Sequence, residues 1–322
     1  MSKQDNLITS AMGRLFKIGR VASRVGLSLA TEQGGGFLLS DPIQQARKTE
    51  KFVLNAMRVT QALGELKGAA MKVGQMLSVH EGLLPPEVSA VLRGLQKEAP
   101  RVSFETMRQV LYSELDDYDS LFESLEPQAI AAASIGQVYR GRLRDGREVA
   151  VKIQYPDIES VVRSDLKNLK KLFGALIAMV AEVEFDEIWE ELKDRLLEEL
   201  DYVHEAENIQ RMRALHEGEP EVVIPGVIRE ASSTRVLTMD YVTGITPDEA
   251  CSDRFDQALR NVWGTNLLRL NFRGLLSQRF LHADPNFANF AFLEDGRVIV
   301  YDHGCMKEIS AALATSYSHI LQ

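Results

Sequence analysis

The sequence predicts an α+β fold in two lobes with a helical N-terminal extension, and three observations carry that reading. Residues 136–154, GQVYRGRLRDGREVAVKIQ, read as two strands joined at an RDG turn. VVIPGVIRE and TRVLTMDYV then add two β-rich segments, expected to be the last strands of a small lobe, and Thr243-Gly244 breaks the chain before a helical segment. Further on, EDGRV reads as a tight hairpin turn ahead of a buried strand, VIVY. Upstream, KVGQ at residues 72–75 belongs to a helix that Gly64 and Gly68 thin for close packing. At 322 residues the chain is long enough for a two-lobed core plus that extension.

The chemistry is concentrated in HADPNFANF, residues 282–290. Asp284 and Asn289 stand there at the D-x-x-x-x-N spacing of a kinase catalytic loop, and Asp302 follows in YDHG. The hairpin between them would bring Asn289 and Asp302 to the mouths of neighbouring segments, two oxygen ligands that a Mg2+ ion could bridge. Phosphoryl transfer needs such an ion on the phosphate oxygens and a separate carboxylate to orient the incoming hydroxyl, a task that falls to Asp284. Lys152, the one cation of VAVKIQYP, matches the strand lysine of V-A-I-K that holds nucleotide phosphates. Ahead of it, residues 131–138 occupy the place of the glycine-rich loop. Ala131 and Ala133 stand at the first two glycine positions, Ala132 and Ser134 beside them, and Gly136 and Val138 are kept. Alanine disfavours positive φ, so this loop is expected to be stiffer and to fit phosphates differently. Loop, lysine, D-x-x-x-x-N and metal aspartate thus occur in kinase order, which makes the predicted architecture protein-kinase-like. In that layout Met239 is the gatekeeper, and Asp240 to Val242 form the hinge whose backbone holds the adenine edge. By helix arithmetic Asp201 and Glu205 share a face, with Glu205 expected to pair with Lys152 and Asp201 to serve Lys72 or a metal.

The alanine-rich AAASIGQV, KVGQ, ELDYVHEAEN at 199–208 and HADPNFAN together resemble the UbiB/AarF family of atypical, protein-kinase-like proteins, from the KVGQ region to the end of the chain. The resemblance implies a helical extension folded over the active site, binding of ATP or ADP with Mg2+, and ATPase or small-molecule phosphotransfer tied to coenzyme Q or other isoprenoid-lipid metabolism. It implies regulatory roles for Lys72 and Gln75 of the extension motif and for Glu199 and Asp201 as an acidic pair. The partners it implies are the nucleotide, an isoprenoid lipid and quinone-biosynthesis proteins. The alanine loop, and Asp302-His303-Gly304 where the family keeps phenylalanine, leave a nucleotide-binding pseudokinase or lipid-handling regulatory scaffold as the alternative to an enzyme. His303 reads either as a tolerated replacement of phenyl by imidazole, the favoured reading, or as a pH switch.

Composition bounds the rest. A net charge of -9 argues against nucleic acid as a partner. Cys251 and Cys305, the two cysteines, have no paired spacing, which excludes a disulfide framework and a cysteine zinc site and suits a reducing compartment. The apolar run LFGALIAMVA at 172–181 is far short of a membrane span. Lys3, Arg14, Lys17, Arg20 and Arg24 interleave with apolar residues near the start. That pattern fits an amphipathic membrane-surface helix, a transit peptide or a solvated tail. The expected location is cytoplasmic, peripheral at the inner face of a membrane if the first of these holds. The expected domains are a basic tail and linker (1–40), the helical extension (41–125), an N-lobe (126–243) and a truncated or reduced C-lobe (244–322).

Overall fold

The computed structural model describes residues 102–133, 135–177, 185–284 and 286–321. Lys72, Gln75, the basic N-terminal segment and Ser134 lie outside them. In chain order the described residues form α1 (Phe104–Glu114), α2 (Tyr118–Leu121), β1 (Phe122–Ala132), β2 (Gly136–Leu143), β3 (Glu148–Gln154), α3 (Ile158–Ile177), α4 (Phe185–Glu198), α5 (Tyr202–Leu215) and β4 (Val222–Val223). There follow β5 (Val236–Asp240), α6 (Pro247–Ala250), α7 (Gln257–Phe272), a π-helical turn (Arg273–Ser277), β6 (Phe280–His282), β7 (Phe290–Phe292), β8 (Val298–Val300), β9 (Met306–Glu308) and α8 (Ala311–Ile320).

The chain divides into two compact units. The described part of the first holds 102–107, the β1–β2 connection and residues 155–197. Its helices α3 and α4 bury Val162, Leu169, Trp189 and Leu192, spaced so that apolar side chains recur on one face. Phe185 lies against Trp189 with ring centroids 5.8 Å apart, and Lys170 meets Asp186 at 2.9 Å.

The second unit holds 108–131, 137–154 and 198–322. One sheet runs β1-β2-β3-β5, with β3 and β5 antiparallel and Lys152 opposite Leu237. The alternation read from the sequence appears as Val149, Val151 and Ile153, all buried, with Val236 and Leu237 beside them. Gly146 closes the RDG turn at φ +90°, a left-handed backbone that suits glycine. A second sheet runs β4-β8-β7, and β6 pairs with β9. This corrects the expectation for VVIPGVIRE. Val222–Val223 pairs in parallel with Val298–Ile299 of β8, and further along the segment meets the first sheet at a bridge from Val227 to Met239. A two-residue strand has little to hold it alone, so it adds to whichever edge tertiary structure offers. TRVLTMDYV is β5, as expected.

The β7–β8 hairpin is clamped from α7. The Trp263 indole N–H donates to the Leu293 carbonyl at 2.8 Å, and the Asn266 amide donates to the Gly296 carbonyl at 2.9 Å. Asp256 caps α7 through its carboxylate on the Leu259 N–H. Gly296 takes φ +93°, and a Cβ there would lie 2.7 Å from Val262 Cγ1. Gly296→Ala is therefore expected to cost about 1–3 kcal/mol through strain and overlap, read as a lower urea midpoint with an unchanged slope.

Candidate nucleotide and phosphoryl-transfer site

Lys152 projects from the middle of β3 and Glu205 from the first turn of α5. Their side chains are nearly inaccessible, and Lys152 Nζ lies 2.8 and 3.0 Å from the two Glu205 carboxylate oxygens. The same ammonium donates to Asp302 Oδ2 at 3.0 Å. Burial opposes the charge on Lys152, but the carboxylates of Asp302 and Glu205 outweigh it and hold the ammonium above its ordinary range. Burial pushes the Glu205 carboxyl up to about 7 against the pull of Lys152. A buried ion pair is stable only when its members are matched closely, and removing one partner typically costs about 3–5 kcal/mol.

Asp201 takes a structural task that its spacing did not suggest, while its expected partner Lys72 lies outside the described residues. Helix α5 begins at Tyr202, so Asp201 stands just before it as the N-cap and accepts from the Val203 and His204 N–H groups at 3.0 and 3.1 Å. Capping satisfies donors that the first helical turn leaves open, and places Glu205 one turn into the helix. Glu199 lies in the turn between α4 and α5, half-buried. Lys72 and Gln75, the other regulatory candidates, are outside the described residues.

Backbone pairing assembles the remaining candidates. The Tyr301 N–H donates to the Asn289 carbonyl at 2.9 Å, which puts Asn289 and Asp302 on adjoining segments as the hairpin reading anticipated. The pairing of β6 with β9 and the Ala283 N–H on the Cys305 carbonyl hold the chain before Asp284 against the chain after Asp302. The Asp284 carboxylate accepts from the Asn286 N–H, and the Asn286 side chain in turn accepts from Ala288 N–H, both at 3.1 Å, folding the loop into a short 3-10 turn ending at Asn289.

For magnesium the donors are hard oxygens, the Asn289 amide and the Asp302 carboxylate. Asn289 Nδ2 is buried and has no hydrogen-bond partner among the described residues, so no protein contact fixes which way that amide faces. This fits a group that turns its carbonyl oxygen to a cation. Asp302 is tied more firmly, through Lys152 and through the Gly304 N–H on Oδ1 at 3.0 Å. Among the described residues no cluster of three His, Cys, Asp or Glu side chains has metal-holding geometry.

The alanine loop is a β-hairpin connection. Ala131 and Ala132 end β1, the Ala133 N–H donates to the Gly136 carbonyl at 2.9 Å, and Gly136 and Val138 lie in β2. Neither these alanines nor Gly136 takes a positive φ. In the segment expected to be the hinge, Met239 is buried opposite Ala150, and the Asp240 carboxylate accepts from the Gly226 N–H at 2.9 Å. The Val242 carbonyl accepts from the Tyr301 hydroxyl at 3.1 Å, which anchors the hinge to the strand leading to Asp302.

Three residues that sequence reasoning did not assign take part. His282 Nε2 lies 2.8 Å from the Asp302 carbonyl, which can only accept, so this nitrogen carries the proton and the ring holds the Asp302 backbone. The Asn208 amide donates to the His303 carbonyl at 3.0 Å. Tyr202 lies with its ring centroid 4.9 Å from Lys152 Nζ. His282 and Tyr202 sat inside motifs already singled out, but nothing in their spacing distinguished them from core residues.

His303 is fully buried, and neither ring nitrogen has a hydrogen-bond partner among the described residues. Burial lowers its pKa to about 3, with His282 adding to the effect. Its burial favours the neutral imidazole, in line with the reading of His303 as a replacement for phenyl.

Together these features define a protein-kinase-like fold with its lysine–glutamate pair, catalytic-loop spacing and D-x-G aspartate in one structural unit. The chain belongs to the ABC1 atypical kinase-like family: the model of the ABC1 atypical kinase-like domain matches residues 94–322. The mitochondrial atypical kinase COQ8B of Danio rerio is 32% identical over 99% of this chain and 52% of its own length. The mitochondrial atypical kinase COQ8 of Saccharomyces cerevisiae is 28% identical over 99% of this chain and 64% of its own. The chain thus spans 52% and 64% of the length of these two relatives. A solved structure of the Rv3197–erythromycin complex from Mycobacterium tuberculosis matches 86% of this chain and 68% of that one, at TM-score 0.58 and 33% identity. Among the described residues no helix is long and apolar enough to cross a membrane.

Two outcomes test these assignments. If Asp201 acts as a cap, Asp201→Ala will lower stability by about 1 kcal/mol and Asp201→Ser will restore most of it, measured by urea unfolding. For His303 the folded pKa lies below the unfolded one, so its neutral burial stabilises fully above pH 6.5, and that stability is lost as pH falls from there towards 3. Between pH 6 and 4 the wild type should therefore lose up to about 1.4 kcal/mol per pH unit more than His303→Phe, read from paired unfolding curves.

Proposed function

We propose that this chain is an atypical kinase or ATPase that binds Mg-ATP or Mg-ADP, with Lys152 and Glu205 positioning the α and β phosphates. The observation that carries the reading is the buried Lys152–Glu205 pair with Asp302 on the same ammonium. A lysine held by β3 and Glu205 in a water-poor site is already positioned to present its charge to phosphate oxygens. Asn289 and Asp302 would hold magnesium, which when bound supplies charge neutralisation on the phosphates. Asp284 would orient the hydroxyl or water that attacks, and Met239 and Asp240 to Val242 would line the adenine edge. Residues 131–138 would cover the nucleotide, its fit to the phosphates altered by the alanines. The domain layout follows the same reading: tail (1–40), extension with Lys72 and Gln75 regulating the site (41–125), N-lobe (126–243) and C-lobe (244–322).

The acceptor class rests on the relatives. Their COQ8 names, together with the UbiB resemblance, support a place in coenzyme Q or isoprenoid-lipid metabolism, at a membrane surface or with quinone-biosynthesis proteins as partners. One observation favours a second reading, a nucleotide-binding regulatory scaffold. Asp302 is already engaged by Lys152 and by Gly304 N–H, so a cation would have to compete for it.

Magnesium-dependent ADP release from ATP, measured beside nucleotide affinity, separates the two. For an enzyme, Asp302→Asn abolishes turnover, and Asp284→Asn keeps nucleotide affinity within about threefold while turnover falls about 10²- to 10³-fold. Saturable binding by the wild type without turnover would instead establish the scaffold.

A further inference from the structure

Tyr202 occupies a place that packing alone does not explain. It is the first residue of α5, 1% exposed, and its hydroxyl has no hydrogen-bond partner among the described residues. A buried hydroxyl with no partner is costly, and a phenylalanine of the same shape would avoid that cost. The ring nevertheless lies where its π face is of use, with Lys152 Nζ 4.9 Å from the centroid. The negative face of an aromatic ring attracts a cation, and more strongly where water is excluded, as it is around this side chain. Burial pushes the phenol pKa well up, with Glu205 and Asp302 also raising it and Lys152 opposing, so the group stays an O–H donor within the electrostatic reach of all three.

Two carboxylates pull the Lys152 ammonium by its hydrogen bonds, one from α5 and one from the segment after β8. When a phosphate enters and competes for those hydrogen bonds, the aromatic face is the contact the ammonium need not exchange. Because Tyr202 precedes Glu205 by less than one helical turn, the same N-terminal turn of α5 carries both the ring and the carboxylate. The cap at Asp201 fixes where that turn starts.

We infer that Tyr202 is a positioning residue for the phosphate-binding lysine: its ring, together with Glu205, holds the Lys152 ammonium in place while phosphate oxygens take over the contact now made by Asp302. This rests on the nucleotide-binding reading above and assigns the residue that keeps the lysine in register. Tyr202 acts through Lys152.

The test compares Tyr202→Phe, Tyr202→Leu and Lys152→Ala with the wild-type chain, reading the Kd for Mg-ADP and for Mg-ATP together with the urea midpoint. Tyr202→Phe keeps a π face and is expected to hold Kd within about twofold, with stability equal or higher once the orphan hydroxyl is gone. Tyr202→Leu is expected to weaken both nucleotides about tenfold, beyond anything its change in stability accounts for under conditions where it is fully folded. To separate fold from site, Val236→Ala serves as a core control: it should lower the urea midpoint comparably and leave Kd unchanged. If Tyr202→Leu binds as the wild type does while Lys152→Ala does not, or if Val236→Ala weakens binding equally, Tyr202 is a packing residue and the inference is overturned. If the wild type itself fails to bind nucleotide, the functional reading fails first and the inference with it.

Discussion

A buried ammonium has to be matched by negative charge, and much of the candidate site follows from that requirement at Lys152. Its stem is fixed by β3, so the compensating carboxylates must come to it: Glu205 on α5 and Asp302 beyond β8. Each comes from an element far away in sequence, so the pair of contacts couples the first sheet, the α5 helix and the segment after the second sheet. Leaving any one charge unmatched is expensive, which makes the arrangement an all-or-none feature of the folded unit.

The catalytic loop is held by a different means. Its register comes from backbone hydrogen bonds, β6 with β9 and Tyr301 with Asn289, and from the His282 ring on the Asp302 carbonyl. These contacts run through the main chain and the His282 ring, and hold the segments that carry Asp284, Asn289 and Asp302 in register. His303 completes the segment by filling space. Imidazole is a poorer filler than phenyl because its two nitrogens are left without partners, and the fold accepts that cost next to Asp302, where the main chain is already bound on both sides by Asn208 and His282.

The chain belongs to the ABC1 atypical kinase-like family and departs from ordinary kinases in its alanine loop. Alanine stands in the β1–β2 connection where kinases have glycine, and the described residues there need no left-handed backbone, so alanine carries no conformational penalty.

Local patterns were enough for much of this protein. The RDG and EDG turns, the alternation of β3 and β5, and the order of lysine, D-x-x-x-x-N and D-x-G all depend on neighbours within a few residues, and such patterns survive without knowledge of the rest of the chain. The pairing of Glu205 with Lys152 was also readable, because one lysine and one helix had to meet in the kinase order. Other features were decided by tertiary structure. Val222–Val223 is too short to choose its own partner and joined β8. Asp201 is a cap because α5 starts at Tyr202, and a helix start depends on which side chain can reach the open N–H groups. Tyr202 and His282 acquired their tasks only from what surrounds them, a cation over one ring and a carbonyl beside the other. The sequence by itself determined which chemical groups are available and in what order, since those are local and covalent; burial, partner choice and charge balance were decided by the folded chain, because each depends on residues brought together from far apart.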